Sequence, residues 1–142
     1  CILRVAGIYG PGRGHLFLKF LADEAAITGD PDRWLNQVHR DDVVGAIENV
    51  LSHETVPPIV NVTDDEPVQQ RMFFEWLSQR LNKSLPPTAE AAKNRKRTLT
   101  DKRVDNGLLQ GKLNYQLKFP TFREGYLAEM KRLDLQINRS EN

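Results

Sequence analysis

Short apolar runs alternate with longer amphipathic stretches along the chain. A short apolar run bounded by turn residues predicts a buried strand, and apolar residues at helical spacing predict a helix. The predicted elements, in chain order, are strand Ile2–Val5, loop Gly7–Gly14, helix His15–Ile27, turn Thr28–Asp32, strand Arg33–His39, a helix opened by Asp41 and Asp42, strand Ile59–Val62, a helix with Pro67 in its first turn, loop Leu85–Thr100, a short helix capped by Asp105, a strand over Tyr115–Phe119, and a last helix after Thr121. This alternation of strands and helices predicts an α/β architecture.

Three helices are predicted to bury an apolar stripe. The helix after Asp42 would bury Val43, Val44, Ile47, Val50 and Leu51. The strongest amphipathic pattern comprises Val68, Met72, Phe73, Trp76, Leu77 and Leu81. The last helix begins with the capping box Thr121–Glu124 and would bury Phe122, Tyr126, Leu127, Met130 and Leu133. We expect the tail QINRSEN to be frayed, because it is polar.

The composition is that of an ordinary globular protein. The 142 residues are 39% hydrophobic and 27% charged, with a formal net charge of +1. That charge argues against a nucleic-acid or membrane-surface partner, and no apolar run is long enough for a membrane span. The single Cys1 excludes an internal disulfide framework, so we expect a reducing, cytoplasmic setting.

The segment GIYGPGRG, Gly7 to Gly14, follows the first strand directly and is the strongest candidate for a ligand loop. It is not a nucleotide-triphosphate P-loop, because Arg13 and Gly14 stand where GxxxxGK[ST] requires lysine and a hydroxyl residue. It also lacks the third glycine of a GxGxxG dinucleotide fingerprint, since that position is His15. The alternative is a tight turn whose glycines supply positive φ angles.

Other polar residues have a structural and a functional interpretation. His15, His39 and His53 have no metal-ligand spacing, and no nucleophile motif is present. Asp41 and Asp42 could act as acid and base, but helix capping is the better interpretation. For the remaining groups a structural role is the better interpretation. Asp64, Asp65 and Glu66 are predicted to form a solvated helix start, Lys93–Arg103 a solvated loop that could contact an anion, and Trp34 and Trp76 part of the core.

Four segments together resemble one family, the NAD-dependent epimerase/dehydratase group of extended or atypical short-chain dehydrogenases/reductases. ILRVAGIYGPGR is similar to the family's LRPxxIYGPG, and NQVHRDD is similar to its NxIHVDDLA. PIVNVTDDEPV resembles its YNVxDDEP strand. LTDKRVDNGLLQGKLNYQLKFPTFREGY resembles its C-terminal KRVSNxRLLxELGYxxxYPxYREGL. The four occur in the family's order and cover nearly the whole chain.

The resemblance implies a fold and a site. The fold would be the C-terminal part of a Rossmann-like NAD(P)-binding fold plus its small substrate-binding lobe. The loop would be a wall of the ligand pocket rather than a cradle for pyrophosphate. The cofactor, NAD or NADP, would lie near Val5, Ala6, Gly7 and Ile8. The substrate, a small molecule such as a nucleotide sugar, would lie near Tyr9, Arg13, His39, Arg40, Lys102 and Arg103.

The family's catalytic pair, YxxxK, is absent, and so is its GxxGxxG turn. The residues four positions after Tyr9, Tyr115 and Tyr126 are Arg13, Phe119 and Met130. We therefore expect residues 1–142 to be the C-terminal half of such a domain, which begins at Cys1 within a strand and lacks the dinucleotide-binding half. Such a chain would be inactive alone, marginally folded, and part of an enzyme that could form homodimers. The alternative is a non-catalytic NAD(P)-fold protein used for binding.

Overall fold

The computed structural model describes residues 1–90 and 101–138. It contains eight strands: β1 Ile2–Val5, β2 Gly7–Tyr9, β3 Ile27–Thr28, β4 Trp34–Leu35, β5 Gln37–His39, β6 Ile59–Val62, β7 Val68–Gln69 and β8 Thr88–Ala89. The α-helices are α1 His15–Leu21, α2 Arg40–Leu51, α3 Gln70–Leu81 and α4 Phe122–Arg132. A π-helical turn spans Leu108–Lys112. The α/β class predicted from the sequence is confirmed.

The first strands change partners at Ala6. β1 runs parallel to β6, with Ile2 opposite Ile59 and Val5 opposite Val62. β2 runs parallel to β5, with Gly7 opposite Gln37. The backbone N–H of Ala6 still donates to Val62 (3.0 Å), while that of Gly7 donates to the carbonyl of Asn36 (3.0 Å). The chain therefore leaves one parallel partner and joins another within one residue.

Two apolar clusters stabilise the two parts of the fold. One lies between β1–β6, α2 and the π-helical turn and consists of Val38, Ala46, Val60, Val62, Leu109 and Leu113. The larger cluster is the core of the second part of the fold, the lobe, which contains α1, α3 and α4. It is rich in aromatic rings, and its members include Tyr9, Phe17, Phe20, Phe73, Phe74, Trp76, Phe122 and Tyr126. Burial of such rings is the main stabilising contribution of a small lobe.

The predicted loop Gly7–Gly14 is wrong for its first three residues, which form β2 because β5 supplies a parallel partner. The rest is a tight turn, with positive φ at Gly10 (124°), Gly12 (74°) and Gly14 (114°). A side chain at Gly10 would also lie 2.9 Å from the His39 ring. Glycine is therefore required here for conformation and for close approach.

Two predicted boundaries in the following segment are also wrong. The first helix ends at Leu21, not Ile27, because Asp23 turns into the left-handed region (φ 59°). Ile27 instead pairs with Thr88 in β3 and β8. The predicted strand Arg33–His39 breaks at Asn36, because β4 pairs antiparallel with β7 whereas β5 pairs parallel with β2.

Helix α2 is confirmed, and Asp41 and Asp42 lie in its first turn as predicted, but neither is the N-cap. Of the predicted apolar stripe, Val43 and Val50 pack against the smaller cluster. His39 is the N-cap, and its ring nitrogen Nδ1 accepts from the Asp41 backbone N–H (3.2 Å). Val44, Ile47 and Leu51 are exposed, by 79% for Leu51. Asp42 is fully buried instead, because its carboxylate accepts from the Tyr115 hydroxyl and from the backbone N–H groups of Lys118 and Phe119.

Those same bonds explain why Tyr115–Phe119 is not a strand. The backbone donors that a sheet partner would need are used by a side chain, and the segment is irregular. Asp105 accepts from the Gly107 N–H (3.0 Å) and so makes a local turn, after which the predicted short helix is the π-helical turn Leu108–Lys112.

The helix predicted near Pro67 starts three residues later, because Val68 and Gln69 pair as β7 with β4. In α3, Met72 is exposed and Phe74 is buried, which reverses the expectation for Met72. The capping box of α4 is confirmed, since Thr121 and Glu124 bond each other's backbone N–H groups. Leu133 lies beyond the end of α4 and is largely exposed.

The burial of two residues, Asp64 and Trp34, differs from the prediction. Asp64 is 1% exposed rather than solvated, and its backbone N–H donates to the carbonyl of Gln37 (2.8 Å) in β5. Trp34 is half-buried rather than in the core, although Trp76 is buried as expected. Within the predicted loop Leu85–Thr100, Thr88–Ala89 form β8. Residues 91–100, which include most of the basic run Lys93–Arg103, lie outside the described residues, as do the last four residues of the tail.

None of the helices in the described parts of the chain is long and apolar enough to cross a membrane.

Candidate functional site

A cleft of about 740 Å³ opens where the chain changes strand partners. One wall consists of residues 4–9, which comprise the carboxyl end of β1, Ala6 and the whole of β2. The floor and second wall come from residues 33–37 in and around β4 and β5. Residues 102–105 close the third side. The carboxyl ends of parallel strands are where open α/β sheets bind ligands.

The first wall contains the four residues predicted to contact the cofactor, Val5, Ala6, Gly7 and Ile8. The Gly7 backbone lies close to the carbonyl of Asn36, which a Cβ at Gly7 would approach to 3.2 Å. The absence of a Cβ at Gly7 therefore allows this wall to pack closely against Asn36.

The third side is a segment that we call the strap, residues Asp101–Asp105. Hydrogen bonds connect the strap to β4, β6 and the residue between β4 and β5. The side chain of that residue, Asn36, donates to the carbonyl of Lys102 (2.8 Å) and accepts from the N–H of Val104 (2.7 Å). The Asp101 carboxylate accepts from the Trp34 N–H (3.0 Å), and Asn61 donates to the carbonyl of Asp105 (3.0 Å). The strap brings Lys102 and Arg103 to the cleft.

Positive charge dominates the cleft. Its cationic residues are Arg4, Arg33, Lys102 and Arg103, against the single carboxylate of Asp105 among the lining residues. The Arg103 guanidinium lies over the Trp34 ring, 5.0 Å from its centroid, which is a cation–π contact. An arrangement of this kind can bind an anionic ligand that carries a planar ring.

The predicted substrate residues are divided by the structure. Tyr9, Lys102 and Arg103 line the cleft with the predicted cofactor residues, but Arg13, His39 and Arg40 do not. Arg40 is exposed and pairs with Asp41 (3.2 Å), and Arg13 is exposed on the glycine turn.

His39 is buried and neutral. Its Nδ1 accepts a hydrogen bond, its ring packs against Phe119 with centroids 4.0 Å apart, and burial lowers its pKa. The histidine therefore caps α2 and supports Tyr9, whose ring meets it edge-on at 5.4 Å.

No tyrosine of the cleft can serve as a general acid or base. The rings of Tyr9 and Tyr126 stack with centroids 4.2 Å apart and are 1% exposed. Burial raises the pKa of both hydroxyls well above the ordinary value. Tyr126 donates to the side-chain oxygen of Gln37 (2.7 Å), and the Tyr9 hydroxyl is enclosed by the backbone at Gly125. Within the described residues, no group of His, Cys, Asp and Glu could hold a metal ion.

A buried carboxyl group, that of Asp64, lies next to Gln37 in the floor of the cleft. Burial, chiefly, raises the pKa of Asp64 to about 8, although the Glu66 N–H donates to it. Its charge acts on Tyr9 and Tyr126, so the three groups share one buried polar region.

Sequence reasoning missed several cleft residues, chiefly Arg4, Trp34, Asn36, Gln37 and Asn61. Arg4, Asn36 and Asn61 stand inside three of the quoted segments, so their position in those segments was the available signal. Trp34 could have been found only as a ring beside a cation, and that contact depends on the strap.

Solved structures with the same fold share about half of their length with this chain. A candidate NAD-dependent epimerase/dehydratase from Methylobacillus flagellatus is 30% identical, with a TM-score of 0.72; the match covers 94% of this chain and 47% of that one. A conserved protein of unknown function from Silicibacter pomeroyi is 26% identical, with a TM-score of 0.73 and coverages of 93% and 48%. A dTDP-glucose 4,6-dehydratase from Streptomyces venezuelae with NAD bound is 24% identical, with a TM-score of 0.71 and coverages of 92% and 42%.

No family model matches the sequence, and no curated protein matches it. The fold and the four sequence segments agree, and the Rossmann-like class inferred from the sequence is confirmed by these structures. The chain thus resembles the NAD-dependent epimerase/dehydratase family in fold and in these four segments, and it spans about half of the length of the similar solved structures.

Proposed function

We propose that the chain is the substrate-side, C-terminal half of an NAD(P)-dependent epimerase, dehydratase or related oxidoreductase. The observation that carries the proposal is the cleft, in which Val5–Ile8 face Lys102 and Arg103. The first set is expected to contact the cofactor and the second to contact the substrate. The two sets are far apart in the sequence, yet they line one cavity.

The proposed cofactor is NAD or NADP, which accepts and returns a hydride when bound. The dTDP-glucose 4,6-dehydratase contains NAD, and a human epimerase family protein of the same fold, 18% identical, contains NADPH. The residues present fit such a group, because the backbone of Val5–Ile8 borders an open cleft and Gly7 has no side chain to obstruct it.

The proposed substrate is a small molecule with an anionic group, such as a nucleotide sugar. A UDP-glucuronic acid 4-epimerase from Bacillus cereus, 18% identical and similar in fold, was solved with UDP-glucuronic acid and NAD. Arg4, Lys102 and Arg103 supply the charge that would hold its phosphates, and Trp34 supplies an aromatic face.

Proton transfer in this proposal needs groups from outside the chain. The buried hydroxyls of Tyr9 and Tyr126 remain protonated at neutral pH. We therefore propose that the catalytic tyrosine and lysine lie in an upstream half, and that residues 1–142 alone catalyse no hydride transfer. A cytoplasmic location and a homodimeric parent remain predictions.

Binding measurements on the natural protein that contains this chain test the proposal. We expect NAD or NADP and a nucleoside diphosphate such as UDP or dTDP to bind. Arg103→Gln should weaken the diphosphate about tenfold, because one charge-assisted contact is lost. Arg132→Gln is the matched control, since Arg132 pairs with Glu129 (2.9 Å) on α4 and does not line the cleft. Failure of both ligand classes to bind would refute the proposal.

The coding sequence upstream of Cys1 separates the catalytic proposal from the non-catalytic alternative. GxxGxxG followed by YxxxK in the same frame would favour the enzyme. An upstream half without the tyrosine and lysine would favour a binding or interaction protein.

A further inference from the structure

Asn36 lies at the junction between two strands that pair in opposite directions. β4 before it is antiparallel to β7, and β5 after it is parallel to β2. Its own carbonyl accepts from the Gly7 N–H (3.0 Å), so its backbone holds the first wall of the cleft.

The side chain of Asn36 holds the opposite wall. Its Nδ2 donates to the carbonyl of Lys102 (2.8 Å), and its Oδ1 accepts from the N–H of Val104 (2.7 Å). Both ends of the amide are thus engaged by the strap, in the way that a neighbouring strand would engage it. The two anchored backbone groups flank Arg103 on either side.

This anchoring determines where Arg103 can reach. With the backbone fixed at Lys102 and Val104, the guanidinium comes to lie over Trp34, two residues before Asn36. Without the amide, the bonds of the strap that remain among the described residues include that from the Trp34 N–H to Asp101 and, further along, that from Asn61 to Asp105. Lys102 and Arg103 would then sample positions away from the cleft.

We propose that Asn36 is a positioning residue that couples the two walls of the cleft and fixes Lys102 and Arg103 for an anionic ligand. The part of this inference that concerns the anionic ligand rests on the proposed function. The positioning itself is independent of that function, because Trp34 reports the position of Arg103 in the free protein.

The first test uses the fluorescence of Trp34 without ligand. The chain has two tryptophans, so subtracting the spectrum of Trp34→Phe isolates Trp34 from Trp76. Asn36→Ala should change the Trp34 emission, because Arg103 leaves the ring face. Asn36→Asp keeps the acceptor for Val104, loses the donor to Lys102 and places a negative charge against the Lys102 carbonyl; it should change the emission of Trp34 and serves if the alanine variant does not fold. Unchanged emission in a folded variant would overturn the inference.

The second test is titration with inorganic pyrophosphate on the natural protein. Asn36→Ala should raise the Kd about tenfold, as expected when two hydrogen bonds that order a binding segment are lost. Asn49→Ala is the matched control, because Asn49 also donates to a backbone carbonyl, that of Leu113 (3.2 Å), away from the cleft. In a Lys102→Gln/Arg103→Gln background, Asn36→Ala should have no further effect, since residues acting through one another are not additive.

The outcomes separate the two proposals. Equal pyrophosphate affinity in wild type and Asn36→Ala would overturn the role of Asn36 and leave the proposed function intact. No binding to the wild type would refute the anionic substrate, and the emission of Trp34 would still decide whether Asn36 positions the strap. If Asn36→Ala also raised the Kd in the Lys102→Gln/Arg103→Gln background, its effect would be a general structural one, and the inference would be overturned.

Discussion

The contact between Gly125 and Tyr9 predicts a large effect of one methyl group. A Cβ at Gly125 would lie 2.6 Å from both Cε2 and Cζ of Tyr9 and closer still to its hydroxyl. Carbon atoms in contact are normally about 3.5–4.0 Å apart. The Tyr9 ring or helix α4 would therefore have to move by about 1 Å.

The ring has no space for that movement. It is 1% exposed, stacked on Tyr126 with centroids 4.2 Å apart and bordered by His39 at 5.4 Å. Overpacking of a core typically costs about 1–3 kcal/mol. Alanine is a better helix former than glycine by about 1 kcal/mol, which offsets part of this cost. We expect Gly125→Ala to lower the free energy of unfolding by up to about 2 kcal/mol.

Urea unfolding of the natural protein, followed by circular dichroism, measures this difference. Gly111→Ala is the control, because nothing lies within 4 Å of a Cβ there, and we expect it to change the stability by less than about 0.5 kcal/mol. In a Tyr9→Leu background, Gly125→Ala should cost less, since the ring is absent. If Gly125→Ala were as stable as Gly111→Ala, the proposed rigidity of the Tyr9 stack would be wrong.

Three further outcomes follow from single groups. The pKa of Asp64 is about 8 in the folded protein and has its ordinary value of 3.8 in the unfolded chain, so the free energy of unfolding falls as the pH rises from about 4 to about 8; its values at pH 7 and pH 9 should differ by about 1 kcal/mol more in wild type than in Asp64→Asn. Tyr9→Phe removes a buried hydroxyl that has no hydrogen-bond partner among the described residues, so the melting temperature should stay the same or rise. Thr121→Ala breaks the capping box and should cost about 1 kcal/mol in urea unfolding, whereas an unchanged midpoint would show that α4 is held by packing alone.

Features set by neighbouring residues could be predicted from the sequence. The capping box of α4 needs only Thr121 and Glu124, and the glycine turn needs only the positive φ angles of its own residues. Strands β1 and β6 were predicted because both are short apolar runs. Long-range contacts were the source of the errors. Asp41 and Asp42 are equivalent by pattern, yet Asp42 is buried because a segment more than seventy residues later brings it three donors.

The candidate site shows the same division. The wall Val5–Ile8 is one continuous segment, so a resemblance of that segment sufficed to find it. His39 and Arg40 lie in an equally good segment, but α2 begins there and turns them away from the cleft. Whether a motif residue contacts a ligand or caps a helix depends on the element that follows it, and the motif alone does not specify that.

Three asparagines connect segments that are far apart in the sequence. Asn36, Asn61 and Asn106 come from three of the four quoted segments. Asn36 and Asn61 bond the strap, and Asn106 donates to the carbonyl of Thr63 (3.0 Å) and to the Asp65 carboxylate (2.7 Å). Each therefore joins its own segment to another, and none forms a bond that local spacing would predict. A buried or half-buried amide needs partners at both ends, so replacing one asparagine leaves polar groups of a distant segment unpaired. The segments are thus physically interdependent, and the cleft that they enclose is maintained as one unit.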